Sequence, residues 1–126
     1  MLTENAEHTV QELRSALPGL PEGAIEELGI ALKRLVSTMQ PQRIYVFGSR
    51  VQARARSDSD VDLLMVVSDS ELPQHRRSQA AYRAVGLHSL PMDILVLTAL
   101  EFEERRDVGG SLPATVLREG RLIYAA

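Results

Sequence analysis

Hydrophobic residues recur at helical spacing in two stretches near the start of the chain. Residues 4–16 carry apolar positions three or four residues apart, and residues 22–39 carry a longer stripe of the same kind. These positions are Ala6, Val10, Leu13 and Leu17, then Ile25, Leu28, Leu32, Leu35 and Val36. Thr3 is the candidate N-cap of the first helix, a Pro-Gly pair ends that helix, and Pro41 ends the second. The pattern predicts an N-terminal helical pair.

Beyond Pro41 the pattern changes to short, continuous apolar runs, which favour buried strands. The predicted strands cover residues 43–47, 60–67, 91–98 and 122–124. Helices are predicted over residues 73–88, 99–107 and 112–119, with a further short helix over residues 49–55. The helix over 99–107 is acidic, and we expect its carboxylates to form a solvated face. They are Glu101, Glu103, Glu104 and Asp107.

The order of these elements predicts an α/β (α+β) fold in which a small mixed β-sheet is flanked by helices. Connections of both short and long kinds favour a mixed sheet over a purely parallel one. The length of 126 residues is that of one domain. We therefore expect residues 1–126 to form a single domain, with residues 1–40 as its helical N-terminal segment.

Composition narrows the class of protein. Because 44% of the residues are hydrophobic, the chain can bury a core and is not expected to be disordered. It contains no cysteine, which excludes disulfides, thiolate metal sites and cysteine nucleophiles. No stretch approaches the roughly 18 apolar residues of a membrane span, and the polar N-terminus does not resemble a signal peptide. We expect a soluble, cytoplasmic protein.

Three aspartates stand at the heads of apolar runs. Asp60 and Asp62 open one run, and Asp93 holds the same place in the next. Residues i and i+2 of a strand point to one face, so the first two carboxylates should project together. Adjacent carboxylates repel unless a cation lies between them, and hard oxygen ligands suit Mg²⁺ or Mn²⁺. A pair of such ions can hold both oxygens of an in-line nucleotidyl displacement. A merely polar strand entrance is the alternative, which the third aspartate disfavours.

Gly48 and Ser49 follow the first apolar run, and ten residues separate them from Asp60. A glycine lets the backbone approach a phosphate closely, and a serine offers both its hydroxyl and its N–H group. Arg50 could pair with a phosphate or with an acid of the cluster. Taken alone, the Gly-Ser pair is more simply explained as an ordinary turn with a serine N-cap.

The motifs together are more specific than their parts. The string FGSR, the ten-residue spacing, the string SDSDVDLLMVV and the later aspartate resemble the DNA polymerase beta-like nucleotidyltransferase superfamily. In particular they resemble the minimal nucleotidyltransferases (MNT proteins), which include the MntA-type antitoxins of HEPN/MNT toxin–antitoxin pairs. The resemblance covers residues 43–98, the expected catalytic core, and the C-terminal LREGRLIY also looks like the family's ending. Residues 1–40 stay unassigned.

This resemblance implies a polymerase beta-like fold and a role for each residue of the motif. Gly48 and Ser49 would bind the triphosphate. Asp60 and Asp62 would bind both metal ions, whereas Asp93 would bind the catalytic ion and help to deprotonate the acceptor hydroxyl. The α-phosphate would be attacked and pyrophosphate would leave, with no covalent enzyme intermediate.

The expected reaction is transfer of AMP from ATP to a hydroxyl of a partner protein, because the core leaves little chain to bind an acceptor by itself. The resemblance implies a tyrosine of a HEPN-domain toxin, whose RNase activity the added charge and bulk would block. Two other classes stay open: a binding antitoxin with a vestigial nucleotide site, and a nucleotidyltransferase that modifies an antibiotic or a metabolite. With a net charge of −3 and no basic track, no direct nucleic-acid partner is expected.

Overall fold

The computed structural model describes residues 6–52 and 60–126. The predicted N-cap Thr3 lies outside these ranges. The elements follow in the order α1 (Ala6–Ala16), α2 (Glu22–Met39), β1 (Arg43–Phe47), β2 (Val61–Val67), α3 (Gln74–Val85), β3 (Met92–Thr98), α4 (Ala99–Arg105), α5 (Leu112–Glu119) and β4 (Arg121–Ala125). No helix within the described ranges combines the length and the apolar character needed to cross a membrane.

The four strands form one mixed sheet in the order β3-β2-β1-β4. Strand β1 pairs antiparallel with both β2 and β4. Strand β3 pairs parallel with β2, because α3 carries the chain back to the starting end of β2 before β3 begins. The predicted mixed sheet flanked by helices is confirmed.

Side chains alternate between the two faces of the sheet, and each face has its own apolar core. On one face α1, α2 and α3 pack over Ile44, Leu63, Met65, Ile94 and their neighbours. On the other face the shorter helices α4 and α5 pack over Leu64 and Val66. Strand β2 is therefore buried on both faces, which explains its nearly continuous apolar sequence.

The face under α4 and α5 is covered only in part. Phe102 of α4 and Val116 of α5 pack on Tyr45 and on its neighbours in β2. Asp62 precedes that covered region on the same face of β2, and its side chain is only partly buried. This end of the sheet is where the polar residues of the motif stand.

Arg77 of α3 fastens the helix to the edge of the sheet. Arg77 is only 7% exposed. The guanidinium donates to the carbonyl of Leu72 at 2.8 Å and to the carbonyl of Val96 at 3.1 Å, and it forms two hydrogen bonds to Glu101. Glu101 also accepts from the N–H of Thr98, so the same carboxylate caps α4. One arginine thus joins α3, β3 and α4.

Replacing Arg77 by methionine is expected to lower the free energy of unfolding by about 2–4 kcal/mol, because the buried Val96 carbonyl, the Leu72 carbonyl and Glu101 lose their donor. Arg76 provides a matched control, since it is the neighbouring arginine on the same helix and is exposed. Arg76→Met should stay within about 0.5 kcal/mol of the unmodified protein. Urea unfolding followed by circular dichroism measures both, and equal costs for the two variants would contradict the structural role of Arg77.

Candidate active site

The register of the sheet brings two of the three predicted aspartates side by side. Asp62 of β2 lies directly opposite Asp93 of the parallel strand β3. On its other side Asp62 lies opposite Phe47, the last residue of β1, after which Gly48 turns the chain. Asp60 stands one residue before β2 and is exposed. The three carboxylates therefore gather at one end of the sheet, around Asp62.

The charges of these carboxylates act on one another. Burial raises the pKa of Asp62 above its ordinary value, and the negative charges of Asp93 and Asp60 raise this pKa further. Such a site favours binding of a proton or of a cation, because either one reduces its net negative charge. The three side chains carry hard oxygen donors, which fit Mg²⁺ or Mn²⁺.

The three carboxylates share a location without forming a closed ligand set. Within residues 6–52 and 60–126 no three acidic or histidine side chains are close enough to share a metal ion as they stand. Mutual repulsion of unscreened carboxylates opposes such an approach. The assignment of Asp60, Asp62 and Asp93 as metal ligands stays a prediction that rests on donor chemistry and on their shared location.

Gly48 is required where it stands for two reasons. Its φ angle of +83° is one that side chains other than glycine rarely adopt. A Cβ atom at this position would also collide with Oδ2 of Asp62 and would lie 3.2 Å from the carboxylate carbon. The turn backbone therefore runs directly against the carboxylate of Asp62. A phosphate bound at this turn would lie beside the aspartates.

The residues after Gly48 form a turn. The N–H groups of Val51 and Gln52 both donate to the Gly48 carbonyl, at 3.2 and 3.3 Å. Of the helix predicted over residues 49–55, residues 49–52 are this turn, and residues 53–59 lie outside the described residues. Ser49 sits in the turn and is partly buried. Its contact with the triphosphate stays a prediction.

Arg50 is the buried residue of this turn. It is only 6% exposed, and it lines a groove of about 410 Å³ together with the start of α2 and the loop before β3. Glu27 holds that loop, since its carboxylate accepts hydrogen bonds from the backbone of Ser89 and Leu90 and from the Ser89 hydroxyl. A contact between Arg50 and the triphosphate stays a prediction.

Tyr82 of α3 reaches the site from the other side of β3. Its hydroxyl accepts a hydrogen bond from the N–H of Ile94 at 2.9 Å and lies 3.4 Å from Oδ1 of Asp93. Burial raises the pKa of Tyr82, and the charges of Asp93 and Asp60 add to this increase against the opposing effect of the Ile94 N–H. The hydroxyl therefore keeps its proton at neutral pH.

An open groove of about 610 Å³ begins at Asp93 and runs between α3 and the outer edge of β3. Apart from Asp93, its described side chains are neutral amides, hydroxyls, a histidine and aliphatic groups, with no lysine or arginine among them. The lining residues are Gln74, His75, Ser78, Gln79, Tyr82, Asp93, Ile94 and Leu95. Its chemistry suits a neutral polar guest better than a polyanion.

Sequence patterns do not identify the contacts of Tyr82 and Glu27. The sequence predicts Tyr82 only as a partly buried aromatic residue on a helix that carries arginines. The structure agrees with that description. Its contact with Asp93 depends on how α3 packs against β3, and no local spacing encodes that. The same holds for Glu27, whose partners lie 62 and 63 residues further along the chain.

Residues 31–126 match the model of the family described as Polymerase beta, Nucleotidyltransferase. The chain belongs to this family. The match includes the turn at Gly48 and all three aspartates, and it confirms both the polymerase beta-like fold and the expected class of enzyme, a nucleotidyltransferase. No curated protein matches the chain.

Three solved structures are similar to this chain. A Sulfolobus solfataricus protein assigned as a nucleotidyltransferase is similar with a TM-score of 0.54 and 21% identity, over 86% of this chain and 92% of that one. A toxin–antitoxin crystal structure with AMP-PNP has a TM-score of 0.49 at 20% identity, over 77% and 72% of the two chains. A mutant of the toxin–antitoxin MntA-HpeT has a TM-score of 0.49 at 19% identity, over 79% and 73%. The structural support for the fold comes from the first of these.

Replacing Gly48 by alanine should destabilise the protein for both of the reasons given above. Gly110 is the matched control, because its φ angle is +84° and no atom lies within 4 Å of an added Cβ. Gly110→Ala should cost about 1–2 kcal/mol from backbone strain alone, and Gly48→Ala at least ~1 kcal/mol more from the collision with Asp62. Denaturant unfolding measures the difference. Equal costs would show that Asp62 does not press on Gly48.

Replacing Asp62 by asparagine should stabilise the metal-free protein at neutral pH. The pKa of Asp62 is higher in the folded state than in the unfolded chain, so the folded protein binds a proton there more readily. The stability of the folded state therefore falls as the pH rises through the range between these two pKa values. Above that pH range, replacing Asp62 by asparagine removes a negative charge that the folded state disfavours. We expect a gain of about 0.5 kcal/mol at pH 7, small because solvent screens a partly exposed group.

The gain should disappear below about pH 4, where the aspartate is protonated in both states. Thermal unfolding in EDTA at pH 7 and at the lowest pH at which the fold persists provides the measurement. Asp69→Asn, in the exposed segment that follows β2, is the control for an aspartate-to-asparagine change away from the site. A loss of stability on Asp62→Asn at pH 7 would mean that the folded protein stabilises the charge of Asp62 instead of opposing it.

Proposed function

We propose that this protein is a magnesium-dependent nucleotidyltransferase that transfers AMP from ATP to a tyrosine hydroxyl of a partner protein. The proposed partner is a HEPN-domain toxin, and this protein is its antitoxin. The observation that carries the proposal is the approach of the Gly48 turn to Asp62, with Asp93 in register beside it. A phosphate-binding turn and a group of hard oxygen donors then lie within one site. Because the reaction consumes ATP, the proposed location is the cytoplasm.

Each residue of the motif has a proposed task. Gly48 and Ser49 bind the triphosphate through backbone N–H groups and the serine hydroxyl. Asp60 and Asp62 would hold two Mg²⁺ or Mn²⁺ ions, and Asp93 would hold the catalytic one. A divalent ion at this place supplies charge stabilisation for the phosphates and for the leaving pyrophosphate. Asp93 also accepts the proton of the acceptor hydroxyl, since it is the exposed carboxylate at the mouth of the groove.

The groove beside Asp93 supports a separate approach for the acceptor. It is open to solvent, its described lining carries no lysine or arginine, and it ends at the proposed base. A triphosphate would find no positively charged side chain there to balance its negative charges. An uncharged tyrosine of a partner protein needs no such balance. The motif strings that resemble the MNT antitoxins support the choice of a toxin as that partner.

Transfer is tested with ATP labelled at the α-phosphate or at the γ-phosphate. Each is incubated with Mg²⁺, this protein and a lysate of its source cells, and also with the co-expressed candidate toxin. We expect a protein band labelled only from the α-phosphate, whose label mass spectrometry assigns to AMP on tyrosine. Asp62→Asn should reduce the label at least about a hundred-fold, since even residues that only support metal ligands contribute about 10–100-fold.

Asp69→Asn serves as the matched control and should label as the unmodified protein does. Label from the γ-phosphate would indicate a kinase and would overturn the proposal. A labelled small molecule with no labelled protein would favour the antibiotic or metabolite enzyme. Neutralisation of the toxin by Asp62→Asn as fully as by the unmodified protein would instead favour an antitoxin that acts by binding alone.

A further inference from the structure

We infer that Tyr82 is a positioning residue, whose hydroxyl holds the Asp93 carboxylate in the orientation that it needs at the site. The inference rests on the proposed function only in that it takes Asp93 to be a metal ligand. Tyr82 also lines the groove that is proposed for the acceptor, but the inferred role requires no contact with the acceptor or the nucleotide. It acts through Asp93.

The hydrogen bonds of the Tyr82 hydroxyl define where its proton can go. The N–H of Ile94 donates to the oxygen at 2.9 Å, so this contact uses a lone pair and leaves the single proton free for another acceptor. Two oxygens compete for that proton, Oδ1 of Asp93 and the carbonyl of Met92, each at 3.4 Å. A carboxylate is the stronger acceptor of the two. The contact is long, so a small rotation of the carboxylate is enough to complete it.

Asp93 needs such a partner because of its place in the sheet. Strand β3 is an edge strand, and the Asp93 side chain is exposed on it. An exposed aspartate samples several rotamers, and only some of them suit a metal site shared with Asp62. Tyr82 is the hydrogen-bond partner that the described residues offer to it. A fixed donor on the groove side limits those rotamers, as supporting groups do for carboxylate ligands in general.

Tyr82 can fix its neighbour because it is itself fixed. Its side chain is partly buried, and the Ile94 N–H ties its hydroxyl to the backbone of the strand that carries Asp93. Nearer the start of the same helix, Arg77 is bonded to the Val96 carbonyl of that strand. Helix α3 is thereby fastened to β3 at two points along the strand. The hydroxyl cannot follow Asp93 if the carboxylate turns away.

The test measures metal affinity directly, without any acceptor. Mn²⁺ is titrated calorimetrically into the full chain in the presence of an ATP analogue with a methylene group between the α- and β-phosphates. The four proteins compared are the unmodified chain, Tyr82→Phe, Asp93→Asn and the double variant. We expect Tyr82→Phe to weaken Mn²⁺ binding about ten-fold. In the Asp93→Asn background the same change should have no further effect, because the group through which Tyr82 acts is gone.

Tyr45→Phe is the matched control. Tyr45 is a buried tyrosine whose hydroxyl accepts a hydrogen bond from Arg43 at 2.9 Å within the core under α4. It should lose a similar amount of stability in thermal unfolding and leave Mn²⁺ affinity unchanged. The control separates loss of one tyrosine hydrogen bond from loss of the contact with Asp93.

Two results would overturn the inference alone. In the first, Asp93→Asn weakens Mn²⁺ binding and Tyr82→Phe does not. In the second, Tyr82→Phe weakens binding equally with and without Asp93, which means that it acts through the fold. If Asp93→Asn leaves Mn²⁺ binding unchanged, the metal assignment under the proposed function fails as well, and the inference fails with it.

Discussion

Asp62 carries its charge in a place where burial and two other carboxylates oppose it. Most features of the active site follow from accommodating that one side chain. The turn that meets it has to begin with glycine, because any Cβ atom would occupy the space of the carboxylate. The short helices α4 and α5 cover only the continuation of the same face, where β2 carries Leu64 and Val66. If the helices covered the whole face, three carboxylates would be buried in an apolar interior.

The fold tolerates the disfavoured charge of Asp62 because the strands and helices around it are firmly packed. Strand β2 is central in the sheet and is buried on both faces, so its position does not depend on the site. The vulnerable element is β3, an edge strand that carries Asp93. Side chains of α3 form hydrogen bonds with outward-facing backbone groups of β3. The Tyr82 hydroxyl accepts from the Ile94 N–H, and Arg77 donates to the Val96 carbonyl. The edge is thus closed to pairing with another strand while Asp93 stays accessible beside the groove.

The sequence predicted what depends on local pattern. Helix α2 and strand β1 end where the apolar stripe and the apolar run end, because Pro41 and Gly48 stop them locally. The aspartates are recognisable because each stands at the head of an apolar run. Glu101 shows the limit, since from its neighbours it belongs to a solvated acidic face, yet it caps α4 and pairs with Arg77 24 residues away. Tyr82 and Glu27 likewise act through partners that only the packing of distant segments supplies.

The two sides of Asp62 differ in a way that bears on how the proposed reaction is arranged. On one side lies the backbone turn at Gly48, which is the proposed place of the triphosphate. On the other side lie Asp93 and a groove whose described lining carries no lysine or arginine. A tyrosine hydroxyl has a pKa near 10, so it is a poor nucleophile at neutral pH until a base takes its proton. In the proposed reaction the acceptor would therefore approach from the side of Asp93, the exposed carboxylate beside the groove. The nucleotide would then lie on the other side of Asp62, at the turn.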